Sequence, residues 1–222
     1  SRVNALDKAL RSRNKLLEAE RLDAAWLDAV EREVAETGVA VAMARQETVG
    51  RLQALINETR REGDPFPWAV LTLEGPLDAI LGTASALEVE DVYRGWLAEN
   101  RLRDRAAGRA LIGPQTTDLL VRHGPKDVAA ERASTGEQKA LLVGLVLAHA
   151  RLVAAMTGIV PLVLLDEVAA HLDPRRRVGL YEALDALGAQ VFMTGADPAL
   201  FADLPGSGVR FAVTGGRVFP TP

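Results

Sequence analysis

Hydrophobic positions along the first part of the chain recur with helical spacing. Val3, Leu6, Leu10 and Leu17 fall three, four and seven residues apart with charges between them, which predicts an amphipathic helix. Trp26, Val30 and Val34 continue the pattern, and Val41, Val49, Leu52 and Ile56 resume it after Thr37-Gly38. Residues up to about Arg61 are therefore expected to form a pair or trio of packed amphipathic helices. Glu62-Gly63-Asp64-Pro65-Phe66-Pro67 is a breaker segment. Beyond it, Ala69 to Leu73 reads as a strand, and Val92 to Ala107 as a helix with Tyr93, Trp96 and Leu97 inward. Arg109 to Ile112 reads as a strand running into Gly113-Pro114, and Leu119 to Val121 as a short strand.

From Ser134 the pattern becomes that of an α/β domain. An apolar helix is predicted from Thr135 to about Ala155, followed by a strand, Leu162 to Leu165, behind Pro161. Asp173-Pro174 supplies an N-cap and a proline at the first helical position, so the next helix starts there and stops at Gly188. Gln190 to Thr194 is a further strand. The chain closes with Val209 to Val213 and Arg217 to Phe219 around Gly215-Gly216, a pair that suits a two-residue hairpin turn.

Composition narrows the class. The 222 residues are 48% hydrophobic and 25% charged, enough for one large domain or two small ones. No run of about 18 apolar residues is apparent, so no membrane span is expected. No secretory signal is visible, and the absence of cysteine rules out disulfides and thiolate metal sites, consistent with a cytoplasmic protein. The net charge of −4 gives no global attraction for nucleic acid, so any DNA contact would have to come from local basic patches. The chain opens on Ser1 rather than Met, which favours reading it as a segment of a longer protein.

Two short stretches carry chemistry. Val163-Leu164-Leu165 is apolar throughout, as a parallel strand covered on both faces requires, and Asp166-Glu167 follows at its C-terminal end, where α/β sheets hold ligands. The first carboxylate suits a hydrated Mg²⁺ beside a nucleotide, and the second suits a general base acting on water. Alternatively, both merely cap the next turn. The second stretch is Ser134-Thr135-Gly136-Glu137-Gln138-Lys139, ahead of the apolar helix. Ser134 and Glu137 have capping-box spacing. Gly136 in the first turn costs about 1 kcal/mol of helix stability against Ala, which makes sense where a phosphate approaches the backbone N–H groups.

In combination these stretches resemble the ATP-binding-cassette (ABC) ATPases. Ser134-Thr135-Gly136-Glu137-Gln138 resembles the signature motif, Asp166-Glu167 the Walker B pair, and His171-Leu172-Asp173 the D-loop, in the family's order. Within that superfamily the chain resembles the RecF family. Gly113-Pro114-Gln115-Thr116-Thr117-Asp118-Leu119 is similar to the family's Gly-Pro-His-Arg-Asp-Asp-Leu segment, and Ala5 to Asn14 to the helix that opens its second lobe. The resemblance implies an α/β head of ABC-ATPase type, its signature and Walker B half, with an N-terminal helical lobe. Residues 1–62 would be the helical part of lobe II, 63–133 its mixed strand and helix part, and 134–222 the signature helix, Walker B strand and C-terminal sheet.

The resemblance also implies roles. ATP would be contacted by Ser134, Gly136, Gln138 and Asp173, Mg²⁺ would be held through water by Asp166, and Glu167 would be the catalytic base. An ATP-dependent homodimer, binding to single-stranded and gapped duplex DNA, recombinase loading with RecO- and RecR-type partners, and service in replication, repair and the SOS response are implied in the same way. Rival expectations are another SMC- or Rad50-like head, set aside because Gly38 and Gly50 would interrupt a coiled coil, and a non-catalytic interaction module.

Departures qualify this. No Gly-x-x-x-x-Gly-Lys followed by Ser or Thr occurs, so the chain alone is expected to be inactive. Gln115 and Thr116 replace the family's His and Arg. Gly195-Ala196-Asp197 lacks a switch histidine, leaving Thr194 as a substitute. Arg101, Arg103, Arg105 and Arg109, Arg175-Arg176-Arg177, and Lys8, Arg11, Arg13 and Lys15 form three basic groups, each of which could neutralise DNA phosphates or be no more than a solvated helix face. His149 is expected to be a packed core or edge residue, with His123 beside a turn. Strand edges are expected to be exposed where a missing lobe would complete the sheet.

Overall fold

The computed structural model describes residues 1–205 and 208–221. The chain divides into two compact units, Ser1–Arg51 with Leu71–Val121, and Leu52–Val70 with Arg122–Pro222.

The first unit is built on helices. α1 (Arg2–Leu17) is followed by α2 (Ala24–Thr59), which continues into the second unit and runs unbroken for 36 residues. The break expected at Thr37-Gly38 does not occur, and so neither Gly38 nor Gly50 interrupts the helix. Gly38 has a packing reason: a Cβ there would come 2.7 Å from Cε1 of Tyr93. α3 (Ala86–Glu99) begins six residues before the expected start at Val92, because Ser85 and Glu88 form a capping box, with Ser85 N donating to Glu88 Oε2 at 2.8 Å. The predicted single helix also divides at Asn100, whose side chain donates to Trp96 O at 2.8 Å, and α4 (Arg101–Ala107) follows. Leu6, Ala9, Val34, Val39, Leu77, Val89, Tyr93 and Leu97 form the core, with Trp96 only partly buried against it.

Arg109 to Ile112 is not a strand. Gly108 ends α4 in the left-handed conformation, and Asp104 then takes the following backbone: Arg109 N donates to its carbonyl at 3.1 Å, Leu111 N to its Oδ1 at 2.9 Å. Those donors are lost to a ladder. β1 (Ala69–Glu74), β2 (Asp118–His123) and β3 (Val128–Ala129) form a three-stranded sheet in that order.

The second unit carries the α/β part. α5 (Thr135–Thr157) precedes β4 (Val163–Leu165), α6 (Pro174–Leu187) and β5 (Val191–Met193). In length and composition α5 does meet the requirement for a membrane span, contrary to the sequence-based expectation. It packs one side against the core, burying Ala140, Leu141, Leu147, Ala148, Ala150 and Leu152, while Leu142, Val146, Met156 and His149 are exposed. Val163, Leu165, Leu180, Tyr181 and Leu184 join Leu147 in this core. β4 and β5 pair in parallel, Val163 with Val191 and Leu165 with Met193. Among the described residues the expected covering of both strand faces is not found. Leu164 and its partner Phe192 are 74% and 56% exposed, since the sheet has two strands and one covered side. β6 (Arg210–Thr214) and β7 (Arg217–Thr221) form the expected hairpin, with Gly215 and Gly216 both at positive φ in its turn.

Candidate nucleotide-binding site

The carboxylates stand where β4 ends. Leu165 O accepts Thr194 N at 3.0 Å, which continues the β4–β5 pairing one step and brings the Thr194 side chain to Asp166. Thr194 Oγ1 donates to Asp166 Oδ1 at 2.5 Å and accepts from Glu167 N at 3.0 Å. Glu167 is held at φ 54°, a left-handed conformation that L-residues with a side chain adopt at a cost of roughly 1–2 kcal/mol. Both carboxylates are exposed. A turn of 3-10 helix, Val168–His171, leads to Asp173, whose Oδ1 accepts Arg176 N at 2.9 Å and caps α6.

A second group gathers at the start of α5. Ser134 and Glu137 form the predicted capping box, and Ser134 N donates to Glu137 Oε2 at 3.1 Å. Lys126 Nζ lies 2.5 Å from Glu137 Oε1. That contact, with the Ser134 hydrogen bonds, lowers the Glu137 pKa to about 2. Gly136 has open space beside it, since a Cβ there would meet nothing within 4 Å. The surrounding fold places no steric demand for glycine at 136. The Gln138 amide donates to the carbonyls of Glu131 and Ala133, both at 3.1 Å, and so braces the approach to the helix. Among the described residues no hydrogen bond or ion pair joins this group to Asp166, Glu167 or Thr194. Nor do three or more metal-ligating side chains cluster among them. Asp166 would thus supply a single carboxylate, which fits a Mg²⁺ that keeps its waters and takes phosphate oxygens.

The basic groups are less free than their sequence suggests. Arg13 is fully buried: its Nε donates to Glu31 at 2.9 Å, Nη1 to Asp104 at 2.7 Å and Nη2 to Leu97 O at 2.7 Å. It cannot meet DNA. Arg101 is paired with Glu31 and Asp28, which hold it firmly protonated and already compensate its charge. Arg103 and Arg105 are exposed, though Arg105 donates to Ala19 O at 2.9 Å. Arg175 donates to Gly63 O at 2.7 Å, and Arg176 to Pro65 O at 3.3 Å and Gly136 O at 3.5 Å. These two tie the breaker segment and the start of α5 to α6. Close approach there needs Gly179, where a Cβ would come 2.3 Å from Pro65. Sequence reasoning missed Lys126, for which a lysine in a Gly-Pro-Lys turn gives no pattern signal.

The sequence matches, over residues 17–202, the family described as AAA domain, putative AbiEii toxin, Type IV TA system, and the chain belongs to that AAA-domain family. More particularly, it is 55% identical over 217 residues to the DNA replication and repair protein RecF of Rhizobium meliloti (strain 1021), covering 98% of this chain and 58% of that protein. Against the RecF of Allorhizobium ampelinum the identity is 57% over 203 residues, 91% of this chain and 54% of the relative. The chain thus spans somewhat more than half the length of these relatives. The fold matches a solved structure of the recombination mediator protein RecF with ATP in the RecFOR pathway, with TM-score 0.80 at 18% identity, over 100% of this chain and 58% of that one.

Proposed function

We propose that this chain is the signature and Walker B portion of a RecF-like ATPase that dimerises around ATP and binds DNA in recombinational repair. The observation that carries the reading is the Asp166–Glu167 pair, pinned by Thr194 at the C-terminal end of a parallel strand in a conformation that folding alone does not favour. Such placement suits a metal-bound nucleotide and an attacking water. The similarity to RecF over nearly the whole chain supports the biological setting.

In the proposed site, Ser134 and Gly136 of one protomer close on a triphosphate cradled by a phosphate-binding loop of the other, supplied by sequence outside this chain. Mg²⁺ would be held by Asp166 and the phosphates, where it neutralises developing charge. Glu167, exposed beside Asp166, would take the proton of the attacking water. Gln138 and Asp173 position the loop before α5 and the start of α6. The same reading gives residues 1–62 and 63–133 to a second lobe. Single-stranded and gapped duplex DNA, RecO- and RecR-type proteins and the cytoplasm follow as its partners and setting. Arg103, Arg105 and the exposed face of α1 with Lys8 and Lys15 are the basic groups best placed to meet DNA phosphates. The exposed Leu164–Phe192 face is the part of the sheet that the remaining length of the relatives would cover.

The test is made on the full-length protein. ATP should drive dimerisation in analytical ultracentrifugation, and Glu167→Gln should trap the ATP-bound dimer while slowing hydrolysis. Normal turnover in that variant would remove Glu167 as the base, and a monomer at saturating ATP would favour a non-catalytic interaction module.

A further inference from the structure

Glu137 stands in an awkward place for a phosphate site. The first turn of a helix attracts anions through its free N–H groups and the positive end of its dipole. Glu137 already occupies that field, taking Ser134 N at 3.1 Å. An arriving phosphate would meet a carboxylate on the residue next to Gly136, and like charges repel.

We propose that Lys126 is a positioning residue for the phosphate-facing end of α5, cancelling the Glu137 charge and keeping that carboxylate turned onto Ser134. This rests on the reading of Ser134 and Gly136 as phosphate contacts. Lys126 reaches Glu137 at 2.5 Å from outside the helix, on the short turn Gly124–Lys126. The turn is braced on several sides. Gly124 N donates to Trp68 O at 2.9 Å, Asp127 N to His123 O at 2.9 Å, and Arg122 Nη2 to Asp127 Oδ1 at 2.7 Å. Asp127 adopts φ 51°, a strained conformation for a residue with a side chain. Exposed ion pairs contribute little to stability, so a fixed geometry around a half-exposed lysine is poorly explained by folding. A second cation, Arg176, reaches Gly136 O at 3.5 Å, so the first turn of α5 is flanked by positive groups from two other elements. The lowered Glu137 pKa agrees with a carboxylate kept ionised and compensated.

The experiment measures ATP hydrolysis and ATP-driven dimerisation of the full-length protein. Lys126→Met should raise KM for ATP roughly tenfold, with kcat within about twofold, because only phosphate binding loses compensation. Lys126→Arg should restore KM. So should Lys126→Met with Glu137→Gln, since glutamine still caps the helix without the charge. An unchanged KM in Lys126→Met, or a double variant as poor as the single one, overturns the proposal; urea midpoints confirm that each variant is folded. Ser134→Arg in the same assay separates the two levels. If it abolishes dimerisation while Lys126→Met is silent, only the role of Lys126 is lost. If Ser134→Arg is itself silent, the phosphate reading of α5 fails and takes this proposal with it.

Discussion

Thr194 Oγ1 donates a 2.5 Å hydrogen bond to Asp166 Oδ1, and the same oxygen accepts the backbone N–H of Glu167 at 3.0 Å. A hydroxyl can serve both partners at once, which neither a carboxylate nor an amide of similar size does in this geometry. Thr194→Val keeps the shape and removes both bonds. The expected result is a loss of about ten- to a hundredfold in kcat of the full-length ATPase, because Asp166 and Glu167 lose their fixed orientation. The unfolding free energy from urea denaturation should fall by no more than about 1–2 kcal/mol, and Thr194→Ser should recover most of the activity. An unaltered kcat in the valine variant would mean that Thr194 orients neither carboxylate.

Glu167 itself offers a prediction of opposite signs. Its φ of 54° is one that glycine adopts freely. Glu167→Gly should therefore raise the stability of the chain, or leave it level, by up to about 1 kcal/mol in urea denaturation, while abolishing ATP turnover in the full-length protein. Strain relieved together with activity lost is the signature of a residue kept for function. Clear destabilisation by glycine would show instead that the Glu167 side chain supports the fold.

Arg13 carries the largest expected effect on stability. Its fork reaches Glu31, Asp104 and the carbonyl of Leu97 with no exposure to water. Arg13→Met leaves the buried Asp104 without its cation and Glu31 with Arg101 alone, and about 3–5 kcal/mol of stability should be lost. Arg13→Lys should recover little, since one ammonium cannot span three acceptors in a planar fork. Lys8→Ala, on the same helix but exposed, should change stability by less than about 0.5 kcal/mol. Equal effects from Arg13 and Lys8 would contradict the buried network.

How far the fold was legible depended on the range of the deciding interaction. Ser134 with Glu137, Asp173 with Pro174, and Gly215 with Gly216 are local rules, and each element they bound appears where the pattern places it. Tertiary partners decided the rest. Gly38 reads as a stop until Tyr93 is seen packed against it, and Arg109 to Ile112 reads as a strand until Asp104 takes its N–H groups. Arg13 is indistinguishable from Lys8 and Arg11 in a basic helix; only Glu31 and Asp104, distant in sequence, mark it as buried. At the site, the carboxylates and the glycine were readable as residue types at a spacing. Lys126 was not, because its partner lies eleven residues away across a turn.

The glycines give the sharpest contrast between folding and function. Gly38, Gly50 and Gly136 all sit in helices, where alanine is favoured by about 1 kcal/mol if its Cβ has room. Gly50 has that room, so Gly50→Ala should raise stability by about 0.5–1 kcal/mol without altering function. Gly38 does not, for its Cβ would lie 2.7 Å from Tyr93 Cε1, and Tyr93 is buried with its hydroxyl donating to Ile112 O at 3.2 Å. Gly38→Ala should destabilise, as overpacking of about 1–3 kcal/mol exceeds the helix gain. Gly136 resembles Gly50 in its surroundings and differs in what the site reading asks of it. Gly136→Ala should stabilise the isolated chain like Gly50→Ala, yet weaken ATP-driven dimerisation of the full-length protein, because the added methyl stands where a phosphate must approach the backbone. Urea unfolding and ultracentrifugation on the three variants separate these cases. Should Gly136→Ala prove stabilising with dimerisation intact, the first turn of α5 would be no more than a helix start, and the nucleotide would have to be sought elsewhere.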